Sequence, residues 1–147
     1  MKSKDIIQKI HTINRFRGAE KCTLLKGNES VENLLKLLST RDGIDFAKQT
    51  KFPTMDLLRN EEVKRIAEKY GILIDKDNSL KNVPFLFLIG KGHSHIIYDS
   101  NQIPYTLILM HGHKATITAT NGALVSLHDI DSKFTIITKN LGKVIKL

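Results

Sequence analysis

Phe87-Leu-Ile-Gly-Lys-Gly-His-Ser-His-Ile-Ile-Tyr-Asp-Ser-Asn101, Leu107-Ile-Leu-Met-His-Gly-His-Lys-Ala-Thr-Ile-Thr-Ala-Thr-Asn121 and Ser126-Leu-His-Asp-Ile-Asp-Ser-Lys-Phe-Thr-Ile-Ile-Thr-Lys-Asn140 are three similar rows, each closing on an asparagine. The asparagines lie 20 and 19 residues apart. Anchored on them, Leu88, Ile108 and Leu127 fall in one column and Ile97, Ile117 and Ile136 in another. A strand pair that is polar on one face cannot bury its other face alone, and stacked rows each cover the apolar column of a neighbour. Alternation is clear in Lys114–Thr120 and Lys133–Thr138, which are rich in the β-branched and aromatic residues that strands prefer. Asn121-Gly122 is a strong turn signal, and Asn101 and Asn140 take the same place in their rows. A period of 19–20 residues fits one coil of a small β-solenoid, and it fits equally a repeated hairpin in an antiparallel sheet.

Upstream of the rows the pattern is helical. Ile6, Ile7, Ile10 and Ile13 give a short helix over 5–14 one apolar stripe, and Gly18 caps its end. The clearest helix follows Asn28 or Ser30, with Leu34, Leu35, Leu37 and Leu38 as its apolar face. A shorter one spans Gly43 to Gln49 behind a Thr40 or Asp42 cap, and Pro53 opens the first turn of the next, which carries Met55, Leu57 and Leu58. A last helix runs from Glu61 to Tyr70, and Gly71 ends it. From there the composition turns to strands: Ile72–Asp75, a turn at Lys76–Ser79, the rows, and Lys143–Leu147. The expected fold is therefore α+β. A basic helical lobe, 1–70, is expected to pack on or cap a C-terminal all-β lobe, 71–147, in one compact unit of 147 residues.

Bulk properties narrow the function classes. No apolar run approaches the roughly 20 residues that span a membrane, and Met1-Lys-Ser-Lys-Asp-Ile-Ile7 is no secretory leader. The single cysteine, Cys22, has no partner for an internal disulfide, so a cytoplasmic location is expected. Lys and Arg number 23 against 15 Asp and Glu, a net charge of +8, which favours anionic partners and nucleic acid first. The densest basic stretch is the N-terminal arm. Lys2, Lys4, Lys9, Arg15, Arg17, Lys21 and Lys26 face only Asp5 and Glu20, and Phe16 is placed to stack on a base. These eight positions, Phe16 included, are the expected partner-binding residues.

Chemistry is harder to find. His93-Ser-His95 and His111-Gly-His113 have the i, i+2 spacing that puts both rings on one strand face, and the rows place His93 and His113 in one column. That arrangement suits a zinc or nickel site or the acid–base pair of a ribonuclease. No cysteine lies nearby and no carboxylate repeats beside them. The surrounding glycines mark an exposed corner, where histidine is an ordinary polar residue. Gly90-Lys-Gly92 is too short for a phosphate-binding loop, Asp129 and Asp131 read as solvated turn residues, and Cys22 as a small buried thiol. No catalytic residue, metal or cofactor is expected.

Arg15-Phe-Arg-Gly-Ala-Glu-Lys-Cys-Thr-Leu-Leu25, Gly43-Ile-Asp-Phe46, Phe52-Pro53 and Leu109-Met-His-Gly112 resemble a family of small proteins carried by phages and mobile elements of Bacteroides–Flavobacterium-type bacteria. The resemblance covers most of the chain and transfers no functional residue. In size, charge and apparent source the chain is similar to an anti-CRISPR protein. That likeness implies an inhibitor of a type VI, RNA-guided RNA-cleaving effector in the bacterial host cell, which binds the CRISPR effector nuclease or its guide RNA. A phage structural or assembly protein is the alternative, and a small histidine-dependent nuclease a third.

Overall fold

The computed structural model describes residues 30–51 and 53–147. The chain divides into two compact units, Met1–Tyr70 and Gly71–Leu147. The helix expected over 5–14, and Cys22, lie outside the described residues.

The described part of the first unit holds four helices: α1 (Val31–Leu38), α2 (Arg41–Thr50), α3 (Met55–Leu58) and α4 (Glu61–Glu68). Their starts are set by side-chain caps. The Ser30 hydroxyl accepts from the Asn33 N–H, Thr40 from Gly43, and the Asn60 carbonyl from Glu62 and Val63. Pro53 lies ahead of the first turn of α3, which starts behind Thr54 without a side-chain cap. Helix α1 packs against α2 and α4 through Leu34, Leu35, Ile44, Ala47, Val63 and Ala67, all buried. A Cβ on Gly43 would sit 1.8 Å from the Leu37 carbonyl oxygen, so glycine permits the close approach of α2 to the end of α1. The Tyr70 hydroxyl donates to Glu32, which raises the tyrosine pKa and lowers that of the carboxylate.

The second unit is a β-solenoid. Nine strands follow: β1 (Ile72–Ile74), β2 (Asn78–Lys81), β3 (Phe85–Ile89), β4 (His93–Tyr98), β5 (Tyr105–Met110), β6 (Lys114–Ala119), β7 (Leu124–Asp129), β8 (Lys133–Thr138) and β9 (Lys143–Lys146). Odd strands form one sheet in the order β1-β3-β5-β7-β9 and even strands a second, β2-β4-β6-β8. Every pairing is parallel, which decides between the two architectures left open by the repeat. Consecutive strands alternate between sheets, so each pair makes one coil. The first corner is tighter than expected: Asn78 and Ser79, read as turn residues, already belong to β2.

The register differs from the asparagine-anchored columns. Ile117 pairs with Ile96 and Ile136, while Ile97 pairs with Thr118. Leu127 pairs with Leu107, Ile108 with Phe87 and His128, and Leu88 with Leu109. The cause is unequal coil length: 21 residues separate His93 from Lys114 but 19 separate Lys114 from Lys133. The extra residues lie in the loop 99–104 after β4. Asn121 and Asn140 occupy left-handed backbone at φ 54 and 48, as does Asn82 at 49, whereas Asn101 does not. A one-residue slip moves a side chain to the other face. Ile96 is 1% exposed and Ile97 is 44% exposed.

The core fills the space between the sheets. Leu86, Leu107 and Leu127 face Ile96, Ile117, Ala115 and Ala119, with Tyr98 and Tyr105 stacked at 4.6 Å between ring centroids. Burial lifts the Tyr98 phenol far above its ordinary range. Phe87, Ile89, Ile108 and Met110 are also buried, on the other face of the odd-strand sheet. Phe85–Ile89 and Leu107–Met110 therefore read as unbroken apolar runs, as parallel strands buried on both faces do.

Candidate nucleic-acid interface

The even-strand sheet has one face in the core and one in solvent, and parallel register turns its outward residues into columns. At one side His93, Lys114 and Lys133 are in line. The middle column is Ser79, His95, Thr116 and Thr135. The third is Lys81, Ile97, Thr118 and Ile137, in which both isoleucines are exposed, at 44% and 40%. None of these four strands contains an aspartate or glutamate. Four of the unit's five acidic residues, Asp75, Asp77, Asp129 and Asp131, gather at one corner of the coils. The fifth, Asp99, lies at the opposite corner, where it pairs with Lys81 at 2.8 Å and accepts from the Asn82 amide at 2.6 Å. Its hydrogen bond with Lys81 lowers the carboxylate pKa and raises that of the amine. Lys114 and Lys133 thus stand on strands without carboxylates, at the end of the sheet that adjoins the four-aspartate corner.

The acidic corner is structural. Asp75 accepts the Lys91 N–H at 2.7 Å, Asp77 the His93 N–H at 2.8 Å, Asp129 the Ser132 N–H at 2.9 Å, and Asp131 the N–H of His111. Three of these four bonds join successive coils where the strands have ended, and Asp129 to Ser132 closes a turn within its own coil. Charge-assisted bonds of this kind are worth about 1–2 kcal/mol where partly shielded. Asp75→Ala and Asp131→Ala are each expected to lower stability by about 1 kcal/mol in urea unfolding. His111 holds left-handed backbone at φ 57 and has its Nδ1 3.9 Å from Asp131.

The four histidines separate. His93 and His95 project outward with ring centroids 4.6 Å apart, and His93 Nε2 lies 3.2 Å from the Thr116 hydroxyl. His93 pairs in register with Lys114, so it does not share a column with His113. The expectation of an exposed His113 is overturned: it is 0% exposed, as is Ser94. Its Nδ1 is 3.2 Å from the Gly90 carbonyl oxygen, which can only accept, so Nδ1 carries the proton. Nε2 then accepts the Ser94 hydroxyl at 2.7 Å. The residue was legible after all, because 113 continues the inward phase of Ala115, Ile117 and Ala119. A nucleophile, base and orienting carbonyl are in line here, but both side chains are shut inside the coil and serve as its internal polar cross-link. Gly92 closes the site above: at φ +146 a Cβ would lie 2.6 Å from the Lys76 carbonyl oxygen and 3.1 Å from the His113 ring.

Beside the cationic column is an open hollow of about 340 Å³, lined by Asp77, Lys91, Gly92, His93, Gly112 and Lys114. Among the described residues no group of three or more His, Cys, Asp or Glu side chains is placed to hold a metal ion. None of their helices is long and apolar enough to cross a membrane. The residues expected to bind a partner, Lys2, Lys4, Lys9, Arg15, Phe16, Arg17, Lys21 and Lys26, all lie outside the described residues. The lysines of the outer face escape a search for charge density, since they are 19 residues apart in sequence and only the register unites them. Comparison with protein-family models, curated proteins and solved structures finds no match to this chain.

Proposed function

We propose that this is a non-enzymatic binding protein for RNA, either free or carried by a protein. The observation that supports it most is the outer face of the even-strand sheet, whose strands hold no acidic residue and set Lys114, Lys133 and His93 in one column. Phosphate contacts supply most sequence-independent affinity, and this face offers Lys114 and Lys133 on strands that themselves carry no carboxylate, with the aspartate corner set at their start. The family resemblance narrows the reading to an inhibitor of a bacterial type VI RNA-guided nuclease, bound through the effector or its guide RNA in the host cytoplasm. The N-terminal arm, with its seven cations, is the second basic stretch to which this proposal assigns binding.

The test is an anisotropy titration of the full chain against a structured guide RNA, a control RNA, and the guide loaded on a type VI effector, at two salt concentrations. Binding to the guide or the loaded effector that weakens steeply with salt is expected. Alanine at Lys2, Lys4, Lys9, Arg15, Arg17, Lys21 and Lys26 together should weaken it and flatten the salt dependence. No affinity for any of the three probes, with ordered multimers in light scattering, would contradict the proposal and favour an assembly protein.

A further inference from the structure

The outer face carries more information than charge. Along each even strand the outward positions differ in chemistry from one end to the other. On β4 it runs imidazole, imidazole, isoleucine; on β6 lysine, threonine, threonine; on β8 lysine, threonine, isoleucine. Across the strands the in-phase register lines these positions up in columns. The face is thus three parallel stripes along the solenoid axis: a basic one of His93, Lys114 and Lys133, a hydrogen-bonding one of Ser79, His95, Thr116 and Thr135, and a mixed one in which Ile97 and Ile137 are the apolar members beside Lys81 and Thr118. Stripes are about 6.7 Å apart and steps within a stripe about 4.8 Å, from ordinary strand geometry.

We infer that this face takes single-stranded RNA, laid along the solenoid axis with its phosphates on the Lys114–Lys133 side and its bases over Ile97 and Ile137. The inference rests on the proposed RNA binding and deepens it. The order phosphate, ribose, base across a nucleotide matches the order of the stripes. Lysines meet phosphate oxygens. Thr116 and Thr135 offer hydroxyls that both donate and accept, as a ribose 2′-hydroxyl requires. Single exposed isoleucines are ordinary on a protein surface. Two in one column, 44% and 40% exposed and flanking Thr118, make a small apolar patch on which the flat face of an unpaired base can lie. A duplex buries its bases and would leave them wet, so the chemistry favours a single strand.

The experiment is an anisotropy titration of the full chain with labelled oligouridine of about 12 nucleotides, within the range of single-strand sites. An RNA duplex of equal length and the matching single-stranded DNA are run beside it. The single-stranded RNA is expected to bind at least ~10-fold tighter than the duplex, the scale of covering two part-exposed isoleucines. Ile97→Ser with Ile137→Ser should bring it down to the duplex level without changing duplex affinity. Thr116→Val with Thr135→Val should narrow the gap between RNA and DNA single strands. Equal binding of duplex and single strand, or an isoleucine variant that keeps the preference, would overturn the inference and leave RNA binding standing. Absence of binding to all three nucleic acids would overturn the inference, and the proposed function would then be decided by the guide and the loaded effector.

Discussion

Ile96→Thr is expected to destabilise the solenoid by about 3 kcal/mol, and Ile97→Thr, one residue on, by no more than about 0.5 kcal/mol. Both changes keep a β-branched residue, so strand propensity is held nearly constant. Ile96 is 1% exposed and stacks between Leu80 and Ile117 in the inner column. Threonine there loses apolar burial and brings a hydroxyl into an apolar core. Ile97 is 44% exposed and pairs with Thr118, so threonine extends a stripe already present. Urea unfolding of the two variants compares them directly. The asparagine-anchored alignment predicts the reverse order, with Ile97 in the buried column. A larger cost at 97 than at 96 would mean that the second coil is one residue out of the register described.

His113→Ala is expected to cost about 3–4 kcal/mol, through a cavity, an unpaired Ser94 hydroxyl and an unpaired Gly90 carbonyl. Burial is the first cause that lowers the His113 pKa; the Gly90 carbonyl, Asp75 and Asp77 oppose it in part, and His93 reinforces it. A depressed folded pKa means that the unfolded chain binds more protons as pH falls below the ordinary value near 6.5. The contribution of neutral His113 is therefore complete above about pH 6.5 and is lost as pH falls towards the lowered folded value. Protonation also removes the acceptor that Ser94 uses. Stability measured between pH 7.5 and 5 should fall in the native protein, and fall less steeply in His113→Gln. Equal slopes would contradict the assignment of the neutral, buried imidazole.

Much of the fold was legible because local signals agreed with one another. Thr40 and Asn60 announce helices by cap chemistry, Gly71 marks the change to strands, and Lys114–Ala119 alternates cleanly around a buried Ile117. The parallel coil was legible only as one of two readings, since a 20-residue repeat has no direction of pairing in it. Register failed at Phe85–Ile89 and Leu107–Met110, where burial on both faces erases the alternation that would fix it. It failed also at Ile96-Ile97, two like residues on opposite faces. The candidate interface was illegible for a related reason. Lys114 and Lys133 look like isolated strand-starting cations until the 19-residue coil sets them side by side, and no local pattern reveals that four strands together lack any carboxylate.

The measurement that bears most directly on this reading is the salt dependence of single-stranded RNA binding by the full chain and by its Lys114→Ala/Lys133→Ala variant. Each phosphate contact on a single strand contributes about 0.7 to the slope of log K against log salt, so the variant should show a slope shallower by about 1.4 and a weaker affinity at low salt. Unchanged affinity and an unchanged slope, with the variant still folded, would contradict the claim that the outer face of the β2-β4-β6-β8 sheet binds RNA.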